Sequence, residues 1–291
     1  MCISYYRSMK VQAFVVPKPE NQGLVYQIDT ASRFYDQLHS HEEIQISLIV
    51  KGEGDLLVGD SVRDFCSDDV FVIGGNLPHL FRSNDFHEQC EMVSLFFTPE
   101  TFGERFFSLN DTEILQPLFD EMRFGLSVQS KQDVIADNLI GMNHENGIER
   151  IVSFLKILML ILESKRDKLA TFLPIKPLNE EEGSRLNRVM NLAMDEFKRQ
   201  ITLDEVASVA NMTPNAFCRY FKQRTNKRFF QFLQEIRIGH ACTLLRSSDL
   251  TISEISDQCG YNNISNFNRS FKAQKQTTPR EYKARLIQLQ A

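Results

Sequence analysis

Two sets of side chains in this chain could do recognition chemistry. The first is histidine-based: His39-Ser-His41 lies ahead of a strand-like run, Gln45 falls inside that run, and His79 follows the turn Gly75-Asn-Leu-Pro78. Three imidazoles can hold a divalent metal, line a pocket for a small molecule, or be used structurally. His41 with Glu42 and Glu43 could equally form a hydrated strand edge. The second set is doubled. Residues 201–222 return as residues 250–272 with one extra residue in the turn, so the face that carries Asn215, Cys218, Arg219 and Lys222 in the first copy carries Ser265, Asn266, Arg269 and Lys272 in the second. An Arg fork fits guanine O6/N7 and an Asn amide fits adenine N6/N7 in a major groove. Early helix positions reach base edges, whereas Lys222 and Lys272 lie later and suit phosphates. Cys218 falls on the same face, although a bystander role suits it better than a redox one.

The doubled set needs helices to present it. Thr202-Leu-Asp-Glu205 and Thr251-Ile-Ser-Glu254 are written as capping boxes, and Thr278-Pro-Arg-Glu281 opens a further helix with Pro at its first position. Leu203, Val206 and Ala207 would face inward in one short helix, as would Ile252, Ile255 and Ser256 in the other. The turns need a residue tolerant of positive φ: Asn211 in the first copy, Gly260 in the second. Phe217 and Phe221, and again Phe267 and Phe271, stand four apart on one helix face and must point inward, leaving the Arg-bearing face outside. A long helix over residues 229–246 would hold the two readers in successive major grooves on one DNA face, about 34 Å apart.

Residues 11–98 are strand-like, with β-branched and aromatic runs at 44–50, 55–60, 69–75 and 92–98 cut by Gly, Asp, Asn and Pro. Short strands at even spacing predict an antiparallel sandwich or small barrel. Beyond about residue 102 the period becomes helical, and residues 148–163 carry an apolar set wider than one stripe: Ile148, Ile151, Val152, Leu155, Leu158, Met159 and Leu162. Such a helix must bury two faces, against its own domain and against a partner helix, which either packing within the chain or a dimer would supply. Pro174 and Pro177 mark a hinge within residues 166–179.

Charge divides the chain the same way. Residues 1–179 hold 16 Lys and Arg against 26 Asp and Glu, whereas residues 180–291 hold 17 against 12. A basic half behind an acidic one fits phosphate binding confined to one module. No apolar run approaches the ~18 residues of a membrane span. No secretory segment opens the chain, and the six scattered cysteines, Cys2 among them, read as reduced thiols. A cytoplasmic protein is expected.

Residues 237–271 with Thr278-Pro-Arg-Glu-Tyr282 closely resemble the signature of the AraC/XylS regulators, over about residues 186–286. Asn211 and Arg228 depart from it, standing where Gly and a Ser or Thr cap are frequent. The first half resembles a cupin and the sensing domain of AraC-type regulators. In metal-binding cupins two histidines, a carboxylate and a third histidine form the site, and His39, His41, Gln45 and His79 correspond. Gln45 is a poor anionic ligand, so the resemblance implies a small-molecule pocket lined by these four, with no metal and no other cofactor.

The expected fold is therefore α+β and multidomain. It has an antiparallel cupin-like barrel (residues 1–110), helical connector and dimerisation helices (111–165), a linker (166–182) and an all-α domain of two helix-turn-helix units joined by a long helix (183–291). The resemblance implies a transcription regulator, an activator rather than an enzyme, whose partners are promoter DNA, a small effector, RNA polymerase and a second copy of itself. The alternatives are a metal-dependent cupin enzyme with a DNA-binding appendage, and an effector-independent DNA binder.

Overall fold

The computed structural model describes residues 16, 23–34, 37–83, 89–173 and 180–290, in two compact units that divide between Leu173 and Pro174. Cys2, Pro174 and Pro177 lie outside the described residues.

Among the described residues the first unit holds nine strands. β1 (Val25–Ala31), β2 (Ile44–Lys51), β5 (Val70–Ile73), β7 (Cys90–Phe97), β8 (Leu126–Val128) and β9 (Arg166–Lys168) form one antiparallel sheet in the order β1-β7-β2-β5-β8-β9. β3 (Gly54–Val58), β4 (Ser61–Phe65) and β6 (His79–Ser83) form a second, in the order β4-β3-β6. One apolar cluster draws on both sheets, with Ile49 and Phe71 packed among Leu56, Phe65 and Phe81. The strand runs expected at 44–50, 55–60, 69–75 and 92–98 fall on β2, β3, β5 and β7. A closed barrel does not form among the described strands. The edge of β5 that could have joined the second sheet is taken by β8, through Phe71–Ser127 and Val72–Leu126.

Helices α1 (Gln116–Met122), α2 (Gln132–Gly141) and α3 (Gly147–Glu163) cover the outer face of the larger sheet. Ile44, Ile46 and Leu48 on β2 share that core with Leu118, Ile135 and Phe154, and Phe154 meets the Phe97 ring edge-on at 4.7 Å. Residues 111–165 therefore pack into the core of the strand unit. Part of the segment expected to form the linker belongs to this unit instead. Arg166–Lys168 pair with β8, and Leu169 and Ala170 are fully buried. Helix α3 buries Phe154, Ile157, Leu158 and Ile161, while Ile148, Val152 and Met159 remain exposed.

The second unit is helical: α4 (Glu180–Glu196), α5 (Leu203–Val209), α6 (Pro214–Thr225), α7 (Phe229–Ser247), α8 (Ile252–Gln258), α9 (Ile264–Lys275) and α10 (Pro279–Gln290). Phe217, Phe221, Phe267 and Phe271 are fully buried, each stabilising the fold by roughly 1.5–3 kcal/mol. The turn residues adopt positive φ as predicted, 54° at Asn211 and 74° at Gly260. The two copies nevertheless begin differently. Thr251 and Glu254 close a full capping box, whereas at Thr202 only half forms. There the threonine hydroxyl accepts from the Glu205 N–H, but the Glu205 carboxylate is drawn to Arg199. An ion pair competes with the cap and takes its carboxylate.

Candidate nucleic-acid interface and histidine-lined cavity

In the helical unit, α6 and α9 are positioned by their inward phenylalanines and by side-chain caps. Thr213 accepts from the Ala216 N–H at 3.4 Å, and Asn263 from the Ser265 N–H at 2.7 Å. The opposite faces carry all eight expected residues in exposed positions: Asn215, Cys218, Arg219 and Lys222 on α6, and Ser265, Asn266, Arg269 and Lys272 on α9. Among the described residues no carboxylate pairs with Arg219 or Arg269, which disfavours an internal ion-pair role for either. Arg269 instead donates to the Asn266 amide oxygen at 3.0 Å, so these two form one connected hydrogen-bonding surface.

Sequence reasoning missed a residue that ties α7 to the segment after α4 and to the second copy. Arg237, nearly buried on α7, donates to the carbonyls of Phe197 and Arg199, each at 2.8 Å, just beyond the end of α4. Its guanidinium carbon also lies 5.5 Å from the centroid of the Tyr261 ring. A buried Arg inside an otherwise apolar helix pattern was the available signal. Arg228, in contrast, leaves α7 without a side-chain cap, in keeping with its departure from the family pattern.

In the strand unit, the four expected residues converge. His39 pairs with His79 through an isolated antiparallel bridge that brings their rings to 4.3 Å, and the His41 ring stands edge-on to His79 at 5.0 Å. All three are buried, and one ring nitrogen from each lies within 4.8 Å of the others. Burial pushes His39 down to about 4 and His79 well below the usual imidazole range, because a charged ring loses its hydration there. Both rings are therefore neutral at neutral pH, the form that ligates metals. Gln45, also buried, donates to the Ser47 and Ser94 hydroxyls at 2.7 and 3.2 Å. Those serines, which the sequence did not single out, fix the amide.

His39, Gln45 and His79 face a cavity of about 350 Å³, within the range of small-molecule sites. Phe34, Phe81, Met92 and Phe96 give it apolar walls, and Gln27, Asp29 and Arg33 add polar groups from β1 and the segment after it. β1 lies within the strand-like stretch but outside the runs read as strands, because its alternation is weak. His41 is not part of the cavity wall; it packs behind, edge-on to Phe96 at 5.4 Å.

A helix-turn-helix domain family matches residues 206–285. Over 263 residues the chain is 27% identical to the HTH-type transcriptional activator RhaR of Mannheimia succiniciproducens, covering 86% of this chain and 88% of that protein. It is 24% identical over 253 residues to the HTH-type transcriptional activator RhaS of Klebsiella pneumoniae, covering 84% and 86%. Among solved structures, the DNA-binding domain of AdpA in complex with a target DNA matches at 27% identity with a TM-score of 0.33, covering 34% of this chain and 90% of that one.

Proposed function

We propose that this chain, a DNA-binding transcription regulator with a helix-turn-helix domain of the AraC type, activates transcription in response to a small effector held in the histidine-lined cavity. The observation that carries the DNA half is the pair of exposed, unequal reading faces on α6 and α9. Asn215 and Arg219 would read one half-site, and Ser265, Asn266 and Arg269 another, with Lys222 and Lys272 on phosphates. Unequal faces in a fixed order give the operator a direction. Cys218 shares the first face and would contact a base edge there.

Three features support the sensing half: the size of the cavity, its mixture of aromatic walls with a few convergent polar groups, and the neutral imidazoles that line it. A cupin-like origin accounts for the place of His39, His41, Gln45 and His79. Switching requires that the effector bind the DNA-competent arrangement more tightly than the alternative.

Dimerisation is proposed through α3. Ile148, Val152, Leu155, Met159 and Leu162 follow the alternating four-and-three spacing of a coiled-coil seam, and Ile148 and Val152 are 72% and 60% exposed. Contact with RNA polymerase and a cytoplasmic location belong to the same reading.

Selection of bound DNA from a random pool tests the regulator half. The expected result is one asymmetric two-part motif per DNA-binding unit, and an unstructured or palindromic single-box motif would contradict it. For the sensing half, a metabolite that raises the unfolding temperature should lose its effect when Phe81→Arg fills the cavity. An unchanged shift in that variant would rule the cavity out.

A further inference from the structure

We propose that Asn268 on α9 reads a base edge, an adenine by its chemistry, and that Asn266 acts through Arg269 as a positioning residue. The inference rests on the reading of α9 as a DNA-reading helix and divides the work on its surface. The two copies come into register on their buried phenylalanines. Phe217 and Phe221 align with Phe267 and Phe271, so Arg219 aligns with Arg269 and Lys222 with Lys272. The same register sets Asn215 against Ser265, Ala216 against Asn266 and Cys218 against Asn268. Spacing alone did not single out Asn268, yet it stands where the first copy has Cys218.

Helix geometry agrees with that register. Asn215, Cys218, Arg219 and Lys222 follow the i, i+3, i+4, i+7 spacing of one helix face, and so do Ser265, Asn268, Arg269 and Lys272. Phe267 and Phe271 are fully buried, and Arg269, midway between them in sequence, points away from the core. At about 100° per residue, Asn266 falls about 60° to the other side of Arg269 from this stripe. In the first copy that flank holds Ala216, which has no hydrogen-bonding side chain. Asn266 and Asn268 are both exposed.

Hydrogen bonding separates the two amides. The Asn266 oxygen accepts from the Arg269 guanidinium at 3.0 Å. A bidentate contact to adenine uses both ends of an amide, the oxygen on N6–H₂ and the nitrogen on N7. Asn266 has its oxygen turned along its own helix, whereas the Asn268 amide bonds to no described residue and keeps both ends for a base. Arg269 retains its other N–H donors for guanine O6 and N7. An exposed Arg loses rotamer freedom when it binds, and a neighbour that already holds the guanidinium lessens that loss. Arg219 has no such neighbour, so the guanine preference in the second half-site should be the sharper of the two.

The test uses full-length protein, its Arg269→Ala, Asn268→Ala, Asn266→Ala and Asn266→Asp variants, and a random-sequence DNA pool from which bound molecules are sequenced. The wild-type motif should contain an adenine whose preference falls by about fivefold or more in Asn268→Ala, with the guanine preferences kept. Asn266→Ala should abolish no position of its own. It should instead lower, severalfold, the guanine preference that Arg269→Ala abolishes. Asn266→Asp, whose carboxylate still accepts from the guanidinium, should retain it. The replaced Asn side chains are exposed, so the unfolding temperature should hold and folding does not confound the comparison. An adenine preference lost in Asn266→Ala but kept in Asn268→Ala overturns the proposal, as does a guanine preference untouched by Asn266→Ala. A wild-type pool with no motif would remove the DNA-reading premise and the proposal together. A clear wild-type motif that Asn268→Ala leaves intact refutes the proposal alone.

Discussion

Replacing Gly260 by alanine should cripple the second helix-turn-helix unit while leaving the strand unit intact. Gly260 sits at φ 74° in the turn between α8 and α9, and an added Cβ would lie 2.5 Å from the Phe197 carbonyl oxygen and 2.7 Å from that of Lys198. Left-handed backbone costs an alanine roughly 1–2 kcal/mol by itself. The colliding atoms are backbone, so they cannot swing aside, and the Phe197 carbonyl is the acceptor for the buried Arg237 guanidinium. Displacing it weakens a charge-assisted hydrogen bond of about 1.5–3 kcal/mol. Together the loss is about 3–5 kcal/mol. Asn211→Ala in the equivalent turn is the control, at about 1 kcal/mol from backbone conformation alone. Calorimetry of the full chain measures both, with the transition of the strand unit as an internal reference. If Gly260→Ala costs less than about 1 kcal/mol, or no more than Asn211→Ala, the close-approach argument is refuted.

Arg219→Ala and Arg269→Ala should each cost about 1–3 kcal/mol at particular base pairs in competition binding. Uniform weakening across all sequences would make them phosphate contacts. Because Arg269 donates to Asn266, the double variant Asn266→Ala/Arg269→Ala should lose less than the sum of the single losses, and strict additivity would separate the two. Val152→Glu and Met159→Glu lie on the exposed side of α3, so sedimentation should show a shift toward monomer with little change in unfolding temperature; a persistent dimer would exclude the α3 seam. Asp55 is pushed up to about 7 by burial, with the Asp64 carboxylate adding to it and Arg82 opposing. An acid with a raised folded-state pKa destabilises the fold progressively as pH rises from its ordinary value near 3.8 toward 7. Asp55→Asn should therefore raise the unfolding temperature at pH 8 and not at pH 4, and equal effects at both would refute this account.

The helical unit was largely legible in the sequence because its signals are local. Threonine caps, phenylalanines four apart and a turn residue able to adopt positive φ all act within one or two helical turns. The reading failed where a residue from another segment intervened. Arg199 takes the carboxylate that Glu205 would have given to its cap. In the strand unit, short β8 and β9 were unreadable: three-residue strands carry no usable alternation, and 37 residues of mostly helix separate them. Their pairing is nevertheless what occupies the edge of β5 and leaves the barrel open.

By itself the sequence determined that this chain presents two unequal exposed helix faces, since a doubled, locally encoded motif needs no distant partner to be recognised. It also supplied His39, His41, Gln45 and His79 as a group. What only the tertiary structure decided is how those four are disposed. The carbonyls of Gln37, Glu43 and Leu77 set the tautomers, and Ser94, 49 residues from Gln45, helps to turn the amide. Residue types announce which atoms are available; the direction of a lone pair depends on which carbonyl the folded backbone brings to the other side of the ring.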